Sequence, residues 1–316
     1  MREAYINRIG SALGELSREV EETAAAKRVL SACDVFRQAG FARHHVCAGT
    51  TTAYDLARRA VQELGADIEG TGSIIYSTCL PQNANLGVVD DFSRDGDVKH
   101  LMDFPASHLQ ADFGLEGASV IGLTQQACTS LIGSIRLARA LLASEPELEK
   151  VLCVTADRFP EGAIYEQAYN LISDGAAACT VSDRTEGFRI VAAHAITNGA
   201  LAQASDDETV GTYFTYMHKI IAEVLAKAKL RPDQIDWVVP QNTNVSAWKI
   251  LARLLQFDSE RVFLATIGEI GHIISSDNFV NLQRLESSGA IRSGQRLLLV
   301  MAGFGLNWQA VILERA

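Results

Sequence analysis

Along this chain the apolar residues follow two alternating rhythms. One is helical, with apolar positions three or four residues apart. Ala53–Leu64 shows it through Leu56, Ala60, Val61 and Leu64, and Tyr216–Leu230 shows it over a longer amphipathic stretch. The other is a short apolar run bounded by polar or turn-forming residues. Gly72–Thr78, Ala118–Leu123, Val151–Thr155, Ala177–Ser182, Arg189–His194 and Trp237–Pro240 are of this kind, and Leu297–Ala302 with Gln309–Leu313 form a closing pair. Strands alternating with helices predict an α/β protein with a parallel or mixed sheet.

The pattern also repeats. Helix Ala53–Leu64 leads through a polar turn into IIYSTCLPQN, and helix Tyr216–Leu230 leads through Arg231–Ile235 into WVVPQNTN. The repetition suggests two similar halves divided within Ser182–Gly187, that is, residues 1–183 and 184–316. Helix–turn–strand units recur in every α/β fold, so the repeat alone does not decide this.

The length of 316 residues allows two core units or one large one. With 48% hydrophobic and 21% charged residues, the chain reads as a folded globular protein and not as a disordered one. A net charge of −10 disfavours phosphate backbones, so no nucleic-acid partner is expected. No apolar run reaches the ~18–20 residues of a membrane span, and the opening MREAYINRIG lacks the apolar core of a signal peptide. The expected compartment is the cytoplasm. The six cysteines (33, 47, 79, 128, 153, 179) form no CxxC pair, and none stands at close zinc-ligand spacing with a histidine, so no metal is expected. Each is a small buried apolar residue or a catalytic thiol. Cys79 is read as core or partner packing.

Cys128 has the most informative setting. In GASVIGLTQQACTSLIGSIRLARALL, a strand-like run leads into Gln125–Cys128, and a helix with apolar Leu131, Ile135, Leu137 and Leu141 follows. A thiol at a helix N-terminus feels unpaired N–H groups and the positive end of the dipole, which favour the nucleophilic thiolate. A cysteine merely packed at a helix start gives the same spacing.

Eight segments, in order, resemble the ketoacyl-(acyl carrier protein) synthase III branch of the thiolase superfamily: AYINRIGSALGE, GFARHHV, IIYSTCLP, FPASHLQADFGLEGASVIGLTQQACTS, LISDGAAACTVS, IDWVVPQNTN, GEIGHIISSDNFVNL and GFGLNWQAVIL. The resemblance covers nearly the whole chain. It implies a thiolase-like α/β fold, with two similar halves stacked as α-β-α-β-α layers, and a homodimer. It also implies Cys128 as nucleophile and an oxyanion hole made from the backbone N–H of Cys128 and one within Gly303–Phe304–Gly305. No bound cofactor follows, only a coenzyme A or phosphopantetheine thioester as substrate. Arg43 is a candidate contact for coenzyme A phosphate, and His44 and His45 lie on the side resembling the cofactor entry.

Two departures change the chemistry. The family's histidine before Gln-Ala-Asn aligns with Gln241, and the asparagine of its Gly-Asn-Thr-Ser segment aligns with His272. In decarboxylating members that pair stabilises the enolate left when carbon dioxide departs. Gln241 donates a hydrogen bond but moves no proton. His272 offers a base, and Asp277 either orients it, giving Cys128, His272 and Asp277 by role, or starts the helix Phe279–Leu285 as a cap or first-turn acid. Asn242 and Asn244 follow Gln241 in a polar loop and are candidate substrate-binding residues, with Asn244 read first as structural.

The expected function is an acyltransferase. Cys128 takes an acyl group from acyl-coenzyme A or an acyl carrier protein, and His272 activates a small-molecule alcohol or amine acceptor, in a secondary-metabolite pathway. The alternative is carbon–carbon bond formation on an activated or malonyl-type thioester. A non-catalytic partner subunit is the third reading, and retention of Cys128 with the gain of His272 argues against it.

Overall fold

The computed structural model describes residues 2–81, 89–304 and 306–316. Gln82 and Asn83 of the first polar cluster and Gly305 of the closing loop lie outside the described residues.

The first half contributes strand β1 (Tyr5–Leu13), helix α1 (Ala53–Gln62), strands β2 (Ser73–Ser77) and β3 (Ser119–Leu123), helix α2 (Ser130–Ser144), and strands β4 (Lys150–Asp157) and β5 (Gly175–Ser182). The second contributes β6 (Phe188–Thr197), α3 (Asp206–Ala228), β7 (Trp237–Val239), α4 (Val245–Leu255), α5 (Asp277–Ser287), β8 (Arg296–Gly303) and β9 (Asn307–Arg315). The apolar runs thus become strands at nearly the expected positions.

α3 begins at Asp206, upstream of the apolar rhythm, because Ser205 and Glu208 form a reciprocal capping box there. Its last turn closes at Lys229 in the left-handed region. Helix α4 was not marked by the pattern. Asn244 caps it, its side-chain oxygen accepting from the N–H of Ser246 and Ala247.

These strands form one nine-stranded sheet in the order β3-β2-β4-β5-β1-β6-β9-β8-β7. It is two sets joined by a short seam. β2 runs parallel to β3 and β4, while β5 and β1 are antiparallel. In the other set β6, β9 and β8 are antiparallel and β7 is parallel to β8. Between the sets, β1 meets β6 only at Tyr5↔Arg189 and Ile6↔Phe188.

α1 covers β1, β4 and β5 on one outer face, and α3 covers β6, β8 and β9 on the other. α2 packs against β2, β4 and β9, and α5 against β1, β5, β7 and β8, so both lie between the two sets. That is the five-layered thiolase-like α/β fold. β4, β5, β8 and most of β9 are buried along their length, as strands covered on both faces must be. No helix among the described residues is long and apolar enough to cross a membrane.

Candidate active site

The C-terminal ends of parallel strands are where α/β folds gather polar chemistry. β2 and β3 are parallel neighbours in register, with Ser77 opposite Leu123. Just beyond their ends lie Cys79 and Cys128. Cys128 sits in a single turn, Ala127–Thr129, that feeds directly into α2. Ala127 has φ of 44°, a left-handed conformation costly for a residue with a Cβ. The turn is held by Thr129 donating through N–H and Oγ1 to the Gln126 carbonyl, and by Ser275 Oγ donating to the Ala127 carbonyl at 3.2 Å. Gly303, at the end of β8, permits the close approach. A Cβ there would lie 2.9 Å from the Gln126 oxygen and 3.2 Å from the Ala127 and Thr129 side chains.

His272 comes from the other half. Gly271, at φ of 65°, turns the chain, and the His272 N–H donates to the Leu171 carbonyl while its own carbonyl accepts from the Ser173 N–H. The ring is buried, with Nδ1 2.5 Å from Asp277 Oδ2. Asp277 is the first residue of α5, and its carboxylate also accepts from the N–H groups of Ile273 (2.6 Å) and Asn242 (2.7 Å). Both readings of Asp277 therefore meet in one side chain: it starts a helix and it holds the histidine.

The ring and the Cys128 thiol line the same cavity and interact electrostatically. Burial works against the imidazolium, but the Asp277 carboxylate and the Cys128 sulfur outweigh it and push His272 up to about 10. Cys128 is driven below the ordinary thiol range, first by a hydrogen bond from Cys79 and then, against burial, by His272. Both shifts run in the direction of a buried thiolate–imidazolium pair, which favours the proton on the ring.

Gln241 replaces no part of this chemistry. Its Oε1 accepts from the Ala302 N–H and its Nε2 donates to the Ala302 carbonyl, both at 3.0 Å. That two-sided clip fixes the amide orientation and leaves an N–H 3.5 Å from His272 Nε2.

Asn242 is wholly buried and is not among the residues lining the cavity. Its amide donates to the Gly271 carbonyl, and its oxygen accepts from Thr266 and Asn281, which knits the His272 turn to α5. Asn244 lines the cavity mouth, but its oxygen is spent on the cap of α4. Arg43 lies on a short strand, ion-paired to Glu19 at 2.5 Å, and does not border the Cys128 cavity. His44 is buried between Thr23 Oγ1 and the Ile172 carbonyl, and burial lowers it to about 4, so it is a scaffold residue. Cys79, read as core or partner packing, packs against the hydrophobic cluster that contains Cys128.

The cavity over this group has a volume of about 290 Å³. Cys128, His272 and Gln241 form its floor, and Tyr169, Tyr213, Phe214, Ile250 and Phe304 are among its walls. Among the described residues, the ionisable side chains lining it are Cys128, His272 and tyrosines. Phe304 closes one side in a left-handed conformation, φ 48°.

Two family models and several known proteins resemble this chain. Residues 124–199 match the family model for 3-oxoacyl-(acyl-carrier-protein) synthase III, and residues 225–315 match the model for its C-terminal part. The chain belongs to the 3-oxoacyl-(acyl-carrier-protein) synthase III family. The synthase III of Chlamydia caviae is 26% identical over 288 residues, 82% of this chain and 80% of that protein. The synthase III of Aquifex aeolicus is 24% identical over 280 residues, 84% of each. Among solved structures, the synthase III of Pseudomonas aeruginosa superposes with a TM-score of 0.82 at 22% identity, covering 99% of this chain and 98% of that one. ChlB3, an acyltransferase, also gives 0.82, at 18% identity and with 99% and 98% covered. As a member of the synthase III family, this chain is an enzyme of the acyl-transferring condensing class.

Proposed function

We propose that this synthase III relative is an acyltransferase that loads an acyl group on Cys128 and passes it to an alcohol or amine. The observation that carries the reading is the pairing of Gln241 with the Ala302 backbone beside a His272–Asp277 dyad. The position that holds a histidine in decarboxylating relatives is clipped to the backbone. The proton-moving group stands instead on the other loop, between Asp277 and Cys128.

The Cys128 thiolate attacks the thioester carbonyl. As the tetrahedral adduct collapses, the carbon–sulfur bond to coenzyme A or pantetheine breaks, and the leaving thiolate takes the proton from His272. Acylation removes the negative charge beside His272, so the ring loses part of what held its proton. Now neutral, Nε2 accepts the proton of the acceptor hydroxyl or amine as the acceptor attacks the acyl carbon. The Cys128–acyl bond breaks and the thiolate–imidazolium pair is restored. The backbone N–H groups of Cys128 and Phe304 serve as oxyanion donors.

The aromatic, largely uncharged cavity suits the thin arm of pantetheine and an acceptor without charge near its reacting end. The diphosphate of coenzyme A, or the carrier protein, then stays outside. The halves 1–183 and 184–316 supply nucleophile and base respectively. A second copy is the natural cover for the edge strand β3, where Val120 is 41% exposed. The proposed setting is a cytoplasmic secondary-metabolite pathway.

The test is intact-protein mass after incubation with acyl-coenzyme A and acyl-carrier donors, malonyl thioesters included, for wild type and Cys128→Ala. A Cys128-dependent adduct that is discharged by alcohols or amines to an ester or amide, without carbon dioxide release, is expected. Carbon dioxide release with a ketoacyl product would replace this reading with carbon–carbon bond formation.

A further inference from the structure

The turn that carries Cys128 holds Ala127 at φ of 44°, a conformation that persists only where the surroundings over-determine it. Gln309, in β9 and 2% exposed, reaches both flanks of that turn. Its Nε2 donates to Gln126 Oε1 at 2.6 Å, on one side of the nucleophile. It also donates to Thr129 Oγ1 at 3.0 Å, on the other side, with the Thr129 carbonyl at 3.3 Å. Thr129 Oγ1 in turn donates to the Gln126 carbonyl at 2.7 Å, so its hydroxyl both accepts and donates within the turn. Gln309 Oε1 accepts from Arg136 Nη1 at 2.9 Å. A guanidinium only donates, so Arg136 fixes the amide with its oxygen toward α2 and its NH₂ toward the turn.

We propose that Gln309 is a positioning residue: its amide, oriented by Arg136, clamps the residues before and after Cys128 and so sets the direction of the Cys128 N–H. This rests on Cys128 being the nucleophile with its own N–H as an oxyanion donor. That N–H belongs to the first turn of a helical segment, where backbone donors have no partner inside the helix. Its direction is the tilt of the Ala127–Cys128 peptide plane, whose carbonyl accepts from Ser275 Oγ on the His272 side. The second half of the chain thus grips the nucleophile turn twice, through Ser275 at the peptide itself and through Gln309 at the two residues that flank it.

The measurement compares two reagents on one thiol. p-Nitrophenyl acetate acetylates Cys128 through a tetrahedral adduct: the bond from sulfur to the carbonyl carbon forms, p-nitrophenolate leaves, and the oxyanion between these steps needs the N–H. Iodoacetamide alkylates the same sulfur by displacing iodide, with no oxyanion. The ratio of the two rates, mapped to Cys128 by peptide mass, therefore reports the N–H and cancels the thiolate fraction; melting temperature is recorded for each variant. Gln309→Met keeps the volume and loses the hydrogen bonds. It should lower the ratio about tenfold to a hundredfold, the cost of misplacing a reacting group by about 1 Å. Arg136→Leu frees the amide to turn and should lower the ratio about threefold to tenfold, and Arg136→Lys, which keeps a donor, should recover most of that loss. An unchanged ratio in a folded Gln309→Met, however far its melting temperature falls, would overturn the inference, as would equal losses in Arg136→Leu and Arg136→Lys. Where Gln309→Met does not fold, the Arg136 pair decides alone. Neither reagent uses coenzyme A or an acceptor, so failure here is distinct from failure of acyl transfer; a wild-type Cys128 that neither reagent modifies would overturn both.

Discussion

Asp277→Asn exposes the core of the proposed chemistry. The carboxylate accepts three hydrogen bonds: from His272 Nδ1 at 2.5 Å, Ile273 N–H at 2.6 Å and Asn242 N–H at 2.7 Å. An amide has one oxygen and one nitrogen. If its oxygen faces Ile273, its NH₂ meets the Asn242 N–H and forces the His272 proton onto Nε2, which removes the base. If its oxygen faces His272, the NH₂ meets the Ile273 N–H. Either way one buried donor is orphaned, at a stability cost of about 1–3 kcal/mol. Losing the charge-assisted bond to the ring removes about 1.5–3 kcal/mol, or roughly 10–150-fold in rate. The tautomer switch takes the loss toward ~10⁴. The assay is discharge of a preformed acyl-enzyme by an acceptor, followed by mass. Deacylation within threefold of wild type, in a variant whose stability has fallen as calculated, would refute His272 as the base.

Three further results are expected. Gln241→Ala breaks both bonds to Ala302 and should cost about 2 kcal/mol in urea denaturation, while Gln241→His should release no carbon dioxide from malonyl thioesters, because His272 still occupies the partner position. Gly303→Ala drives a Cβ against the Gln126 carbonyl; the displaced Cys128 turn should lower acylation at least about tenfold, with about 1–3 kcal/mol lost in stability. Asp157 is buried and held up to about 7, above its ordinary 3.8. The fold thus favours its neutral form; that contribution is complete below about pH 3.8 and is lost as pH rises through 7. Asp157→Asn should accordingly be more stable than wild type at about pH 8, on the order of 1–4 kcal/mol, and the advantage should vanish in acid. A gain that does not depend on pH would sink that account.

The strands and the main helices were legible because burial on two faces leaves an unbroken apolar signature, as in VLCVT and AACTVS, and one-sided burial leaves a helical one, as in Ala53–Leu64. Cys128 was legible as a strand-to-helix cysteine, and the departures at Gln241 and His272 stood out against the family's motifs. What the sequence could not contain is which side chain each polar residue meets. Asn242 and Asn244 stand two apart in one polar loop. Yet one is sealed in the scaffold behind His272 and the other caps α4 at the cavity mouth. Arg43 carries the charge a phosphate needs, and only the fold shows that Glu19 of the paired strand sits beside it. His272 and Asp277 are near each other in sequence, whereas Cys128 reaches the same cavity as His272 from the other half of the chain. The sequence by itself determined the alternation of elements and the kinds of reactive group, because those follow from local periodicity and residue type. Tertiary structure alone decided which of those groups share a proton, because hydrogen bonds depend on distances of a few ångströms between segments far apart in the chain.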